Sequence, residues 1–200
     1  MFGSGASAIE GSVATKAALA EQLRGARFVH IATHGWFDES AVSMLDRVGE
    51  SNDPFAASTQ RAQETIVGFL PEALCGIALA GANHGPDGIL TAEELQTLDL
   101  SHCELAVLSA CETNVGIRRA GQGIQSLQTA LHAAGARTAI CSLWKVDDAA
   151  TRRLFEIFYT KLWKENLGPA DALWQAKMAL RAEGHPLRDW AGWVLTGAPD

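Results

Sequence analysis

An α/β fold, a largely parallel sheet with helices on its faces, is what this 200-residue sequence predicts. Three observations lead there. Segments with helical periodicity alternate with short apolar segments. Three of the latter, FVHIAT (28–33), ELAVLS (104–109) and RTAICSLW (137–144), are almost continuously apolar, as strands covered on both faces are. Between the last two lies the helical stripe Ile124, Leu127 and Leu131, stopped by Gly135, which makes a βαβ unit.

Each element has its own local signal. Residues 13–24 read as a helix with Val13, Ala17, Leu19 and Leu23 on one side and Gly25 as its stop. Only MFGSGASA precedes it, room for no more than the tail of a strand. After strand 28–33, the stretch 36–71 is polar, with SND and STQ clusters and a weak helix near 58–70. A link of that length is more often functional or mobile than structural. GIALAG (76–81) and GWVLTG (192–197) are shorter strand candidates. Thr91 and Glu94 form a capping box ahead of AEELQTL. Asp147 and Asp148 precede the helical ATRRLFEIFYTKLW, and Pro169 opens ADALWQAKMALRA. Four of the six tryptophans, from Trp163 onward, are placed to hold the carboxy-terminal helices and strand together.

Composition narrows the function. The chain suits one domain, residues 1–200, large enough to bury a full core. Its net charge of −7 and lack of a dense basic run argue against nucleic acid and favour proteins or peptides as partners. No stretch approaches the roughly 18 apolar residues that span a membrane, and the amino terminus has neither the charged start nor the apolar block of a signal peptide. The expectation is a cytoplasmic protein. Cys75, Cys103, Cys111 and Cys141 include no CxxC pair and are too few for a disulfide scaffold, so free thiols are expected.

Two residues stand out for their chemistry. FVHIAT runs into THG, so His34 is expected where a strand gives way to a glycine-containing loop. ELAVLS runs into ACE, which sets Cys111 at the equivalent point of another strand. Neighbouring parallel strands would carry both to the carboxyl edge of the sheet, where open α/β sheets hold their ligand sites. A thiolate is a strong nucleophile, and an imidazole within reach can take its proton and return one to a leaving amine. The competing reading is that Cys111 simply packs, as Cys103 and Cys141, in or beside strands, are expected to.

Other motifs carry less. GSGASA and GQGIQS do not supply a GxGxxG between strand and helix, and there is no GxSxG elbow. His30, His84, His102, His132 and His185 are scattered without the close pairing of a zinc site, so no metal is expected, and the thiol chemistry requires no cofactor.

HIATHGWFD, LSACETNVG, RAGQGIQSLQTALHAAGARTAICSLWKVDDAAT and the terminal HPLRDWAGWVLTG, taken together over residues 12–197, resemble the CHAT family, caspase-like peptidase domains often fused to tetratricopeptide repeats. That resemblance implies a caspase-like, mostly parallel sheet flanked by helices, with His34 and Cys111 as a catalytic dyad. It also implies an oxyanion hole lined by the backbone amides of Gly35 and Cys111; glycine lets the backbone come close to a substrate carbonyl. SLWKVDDAAT is similar, more weakly, to separase. By that likeness Asp148 is a candidate acid in a pocket for a basic residue before the cut, with Trp144 as a wall and Glu112 as a substrate contact. Each has a plainer role open to it: Asp147 and Asp148 also suit a helix cap, Trp144 could close the core, and an acid beside Cys111 would oppose thiol ionisation.

Relative to the family pattern the chain is short at its amino terminus, so the sheet is expected to lack its first strand or strands, and 36–71 is a longer link than usual. The expected function is a cysteine endopeptidase acting through an acyl enzyme. The alternatives are a catalytically silent scaffold or a subunit activated by a partner or missing amino-terminal segment of tetratricopeptide-repeat type.

Overall fold

The structure, a computed structural model, describes residues 5–37, 75–111 and 120–200. Among these, six strands form one sheet in the order β3-β2-β1-β4-β5-β6. They are β1 (Phe28–Phe37), β2 (Cys75–Ala78), β3 (Ile89–Thr91), β4 (Leu105–Cys111), β5 (Thr138–Ser142) and β6 (Trp193–Gly197). The strands read as continuously apolar, β1, β4 and β5, pair in parallel at the centre. Antiparallel strands flank them on both sides, β2 and β3 at one and β6 at the other. The sheet is therefore mixed, parallel where both faces are covered, and compatible with a caspase-like fold. The three-residue β3 lies in a stretch that carries no strand signal of its own.

Helices cover both faces. One layer holds α1 (Lys16–Leu23), the single turn α2 (Ala92–Leu95) and α3 (Ala120–Ala133). Leu19, Leu23, Leu95, Leu127 and Leu131 meet Ile31, Ala106, Leu108 and Cys141 of the sheet there. The other holds α4 (Asp148–Trp163) and α5 (Pro169–Ala182), whose Leu154, Phe155, Phe158, Leu173 and Leu180 pack on Leu105, Val107, Ile140 and Trp193. Alternate residues of β4 thus serve opposite cores, the two-residue period of a strand.

Local signals set several boundaries. Thr15 caps α1 by accepting the Ala18 N–H at 3.2 Å. The helix consequently starts at Lys16, not at residue 13: Gly11–Val13 form a 3-10 turn, the Ala14 carbonyl accepts the Ala80 N–H at 2.8 Å, and Val13 is 62% exposed. No strand forms over residues 5–8, the described part of MFGSGASA. The capping box of Thr91 and Glu94 is present, but its helix is one turn long because Leu100 N–H bonds to the Ala134 carbonyl, tying the chain to α3. Gly135, at φ +112°, ends α3, and the Ala136 N–H returns to the Leu131 carbonyl at 3.0 Å. Trp36 and Phe37, the start of the polar stretch, continue β1, and the weak helix near 58–70 lies outside the described residues.

The direction of β6 follows from the helices before it. α4 leaves the carboxyl edge after β5, and α5 returns beside it. Arg153, early in α4, meets Glu183, just past α5, at 2.6 Å. The short α6 (Leu187–Trp190) then turns the chain at that edge, so β6 enters the sheet there and runs antiparallel to β5.

Candidate active site

β1 changes partner along its length. Phe28 to His34 pair in parallel with β4, and Gly35 to Phe37 pair antiparallel with β2. His34 is the last residue on the β4 side and Gly35 the first on the β2 side. The expectation that the strand gives way at Thr33 is thus corrected: β2 supplies a new partner, and the Thr33 hydroxyl donates to the Ala78 carbonyl at the junction. His34 itself is exposed.

Cys111 is the final residue of β4, two beyond the expected strand end, and the register pairs it with His34. Neighbouring strands run about 4.8 Å apart. The two residues singled out in sequence therefore lie side by side in backbone register at the carboxyl end of adjacent parallel strands. Glu112 lies outside the described residues.

Trp144 reaches the same edge from the next strand. Leu108 pairs with Cys141, and each chain runs three residues further, to Cys111 and to Trp144. The ladder to β6 continues past the strand end, since Leu143 N–H donates to the Gly192 carbonyl at 2.8 Å. The Trp144 indole N–H donates to the Arg188 carbonyl at 2.7 Å, and the side chain is exposed rather than closing the core.

The two aspartates divide their roles. Asp147 is the N-cap of α4, its carboxylate accepting the N–H groups of Ala149 and Ala150 at 2.9 and 3.0 Å. Asp148 is the first helical residue and is exposed. The cap bonds all go to Asp147, which leaves the Asp148 carboxylate outside that network.

Cys75, Cys103 and Cys141 are buried free thiols, and burial pushes Cys103 up to about 11 and Cys141 up to about 12. Such thiols stay protonated at neutral pH. His132 is pinned between the Ala136 carbonyl at 2.8 Å and the Thr196 hydroxyl at 2.9 Å. His84 and His102 are exposed. His30 shares a 2.7 Å hydrogen bond with Tyr159 and packs against Phe155. Burial pulls its imidazole down to about 4 and raises the Tyr159 phenol well above its usual range. The place of His30 inside the apolar FVHIAT fits a buried histidine, but the partner, 129 residues away, is not legible there. Among the described residues no group of three or more His, Cys, Asp or Glu is placed to hold a metal ion. Among the same residues no helix is long and apolar enough to cross a membrane.

The family described as CHAT domain matches residues 1–198. The chain belongs to the CHAT family. Among the relatives of this CHAT chain is human tetratricopeptide repeat protein 28, 30% identical over 97% of the chain and 8% of that protein. The mouse protein of the same name is 31% identical over 97% of the chain and 8% of its own length. The CHAT chain thus spans about 8% of the length of these curated relatives.

Proposed function

We propose that residues 1–200 work as one cysteine endopeptidase domain, with Cys111 as nucleophile and His34 as proton carrier. The observation that carries this reading is the register pair His34 and Cys111 at the carboxyl edge of the sheet. Alternation along both strands assigns positions 34 and 111 to one face. His34 takes the thiol proton, the sulfur bonds to the peptide carbonyl carbon, and the carbonyl electrons move to oxygen. When they return, the C–N bond breaks and the imidazolium gives its proton to the departing amine. Water, deprotonated by His34, then attacks the thioester, and the acid product leaves as the thiol is restored. The amides of Gly35 and Cys111 are the proposed donors to the oxyanion.

Asp148 supports a preference for a basic residue before the cut, because Asp147 alone does the capping and leaves the Asp148 carboxylate exposed. Action on protein or peptide substrates accords with the net charge of −7, and the cytoplasm is the proposed place of action.

Cleavage of a peptide library by wild type and by Cys111→Ala tests the reading. Wild type should cleave a subset and the variant none; equal turnover by both rules out Cys111 as nucleophile.

A second reading has its own support. The relatives are named for tetratricopeptide repeats, and the chain equals only a small part of them. On this reading the domain is a silent scaffold, or is activated by a repeat segment. Turnover appearing only when such a segment is added would favour activation, and no turnover in either case would favour the scaffold.

A further inference from the structure

Gly192 faces an aromatic ring. A Cβ at this position would come within 2.6 Å of Cε2 of Trp144 and within 3.0 Å of Cδ2 and Cζ2. Its backbone gives no other reason for glycine, since Gly192 is not among the glycines with positive φ. Its carbonyl is pinned by the Leu143 N–H at 2.8 Å, so the backbone beneath the ring has little freedom to yield. The indole is also held by its 2.7 Å bond to the Arg188 carbonyl. Yet Trp144 keeps 37% of its surface exposed. The clamp therefore holds a large apolar surface in one pose without burying it. Such a surface binds with little ordering cost, because its rotamer is already set.

The place of this surface matters as much as its rigidity. Trp144 lies as many residues beyond the paired Leu108 and Cys141 as Cys111 does, one strand further across the sheet. We infer that Gly192 is a specificity-determining residue: by leaving room for the Trp144 ring it fixes one wall of the pocket for a substrate side chain beside the cleaved bond. This rests on the peptidase reading above. An added methyl at 192 forces the indole off the backbone and reshapes the wall, while leaving His34 and Cys111, on other strands, untouched.

The test uses the full chain carrying Cys111→Ala, with and without Gly192→Ala, and measures retention of a positional peptide library by each. Alongside it, the Trp144 indole N–H resonance is followed by NMR, identified by its loss in Trp144→Phe. Gly192→Ala should move that resonance and change the relative retention of side chains at one library position by roughly tenfold or more, the scale of a methyl-sized change in an apolar pocket. A moved resonance with an unchanged retention profile overturns the inference, and so does an unmoved resonance. If Gly192→Ala does not fold, Trp144→Phe takes its place in the Cys111→Ala chain. It deletes the bond to Arg188 and keeps an aromatic ring, and an unchanged profile there is equally fatal. Should the wild type cleave nothing, with or without an added repeat segment, while the profiles still differ, the peptidase reading fails and Gly192 shapes the wall of a peptide-binding site only. Retention of no peptide by any of the chains removes both.

Discussion

His34 and Cys111 form the last register pair of the parallel ladder between β1 and β4. One residue further, β1 already belongs to β2, through Gly35 and Ile77. The proposed dyad thus sits where the parallel centre of the sheet opens toward its antiparallel flank.

Alkylation reads this arrangement directly. Cys75, Cys103 and Cys141 are buried, so iodoacetamide at neutral pH should label Cys111 well ahead of them. His34→Ala should slow labelling at Cys111 about tenfold or more by removing the imidazole that favours the thiolate. Tandem mass spectrometry that assigns the label to each cysteine, three of which share the tryptic peptide 62–118, measures both; equal labelling of all four, or no effect of His34→Ala, contradicts the pairing.

Asp147 and Asp148 should separate in a pair of thermal melts. Asp147→Ala loses the acceptor for two helix N–H groups and should cost about 1 kcal/mol. Asp148→Ala should change stability by less than about 0.5 kcal/mol, as surface substitutions do, and instead weaken cleavage after Arg and Lys. A larger loss of stability from Asp148→Ala than from Asp147→Ala would reverse the assignment.

Stability should fall on mild acidification because of His30. Its folded-state value is depressed from 6.5 to about 4 by burial. Above pH 6.5 the imidazole is neutral folded or unfolded, and the full stability is present. Below it the unfolded chain takes up a proton that the folded one refuses until about pH 4. The loss accumulates between these values, to about 2 to 3 kcal/mol. Denaturant melts of His30→Leu should show a shallower decline over that window than wild type; parallel curves would mean that His30 protonates freely in the fold.

Gly135→Ala should destabilise by about 1 to 3 kcal/mol, the usual cost of a non-glycine residue held at positive φ. Its φ is +112°, and an added Cβ would meet the Ser101 nitrogen at 2.9 Å. Chemical denaturation gives the value. A neutral substitution would show that the end of α3 can rearrange without cost.

Much of the scaffold is legible from short-range patterns. The apolar segments of β1, β4 and β5, the stripe and glycine stop of α3, the capping box at Thr91 and Pro169 at the start of α5 all depend on neighbours a few residues away. His34 and Cys111 are legible as candidates too, because each stands at or just past the end of an apolar strand segment.

What the tertiary structure alone decides concerns pairing. Whether β1 ends at Thr33 or passes on to β2 depends on a strand more than forty residues away, and the sequence of FVHIAT holds no information about that partner. The burial of His30 depends on Tyr159, the exposure of Trp144 on Arg188 and Gly192, and the antiparallel entry of β6 on the hairpin of α4 and α5. Periodicity records which side of an element is apolar, and caps record where it stops. Which distant element meets that side is settled only when the whole chain packs, since burial and hydrogen bonding reward contacts that are far apart in sequence.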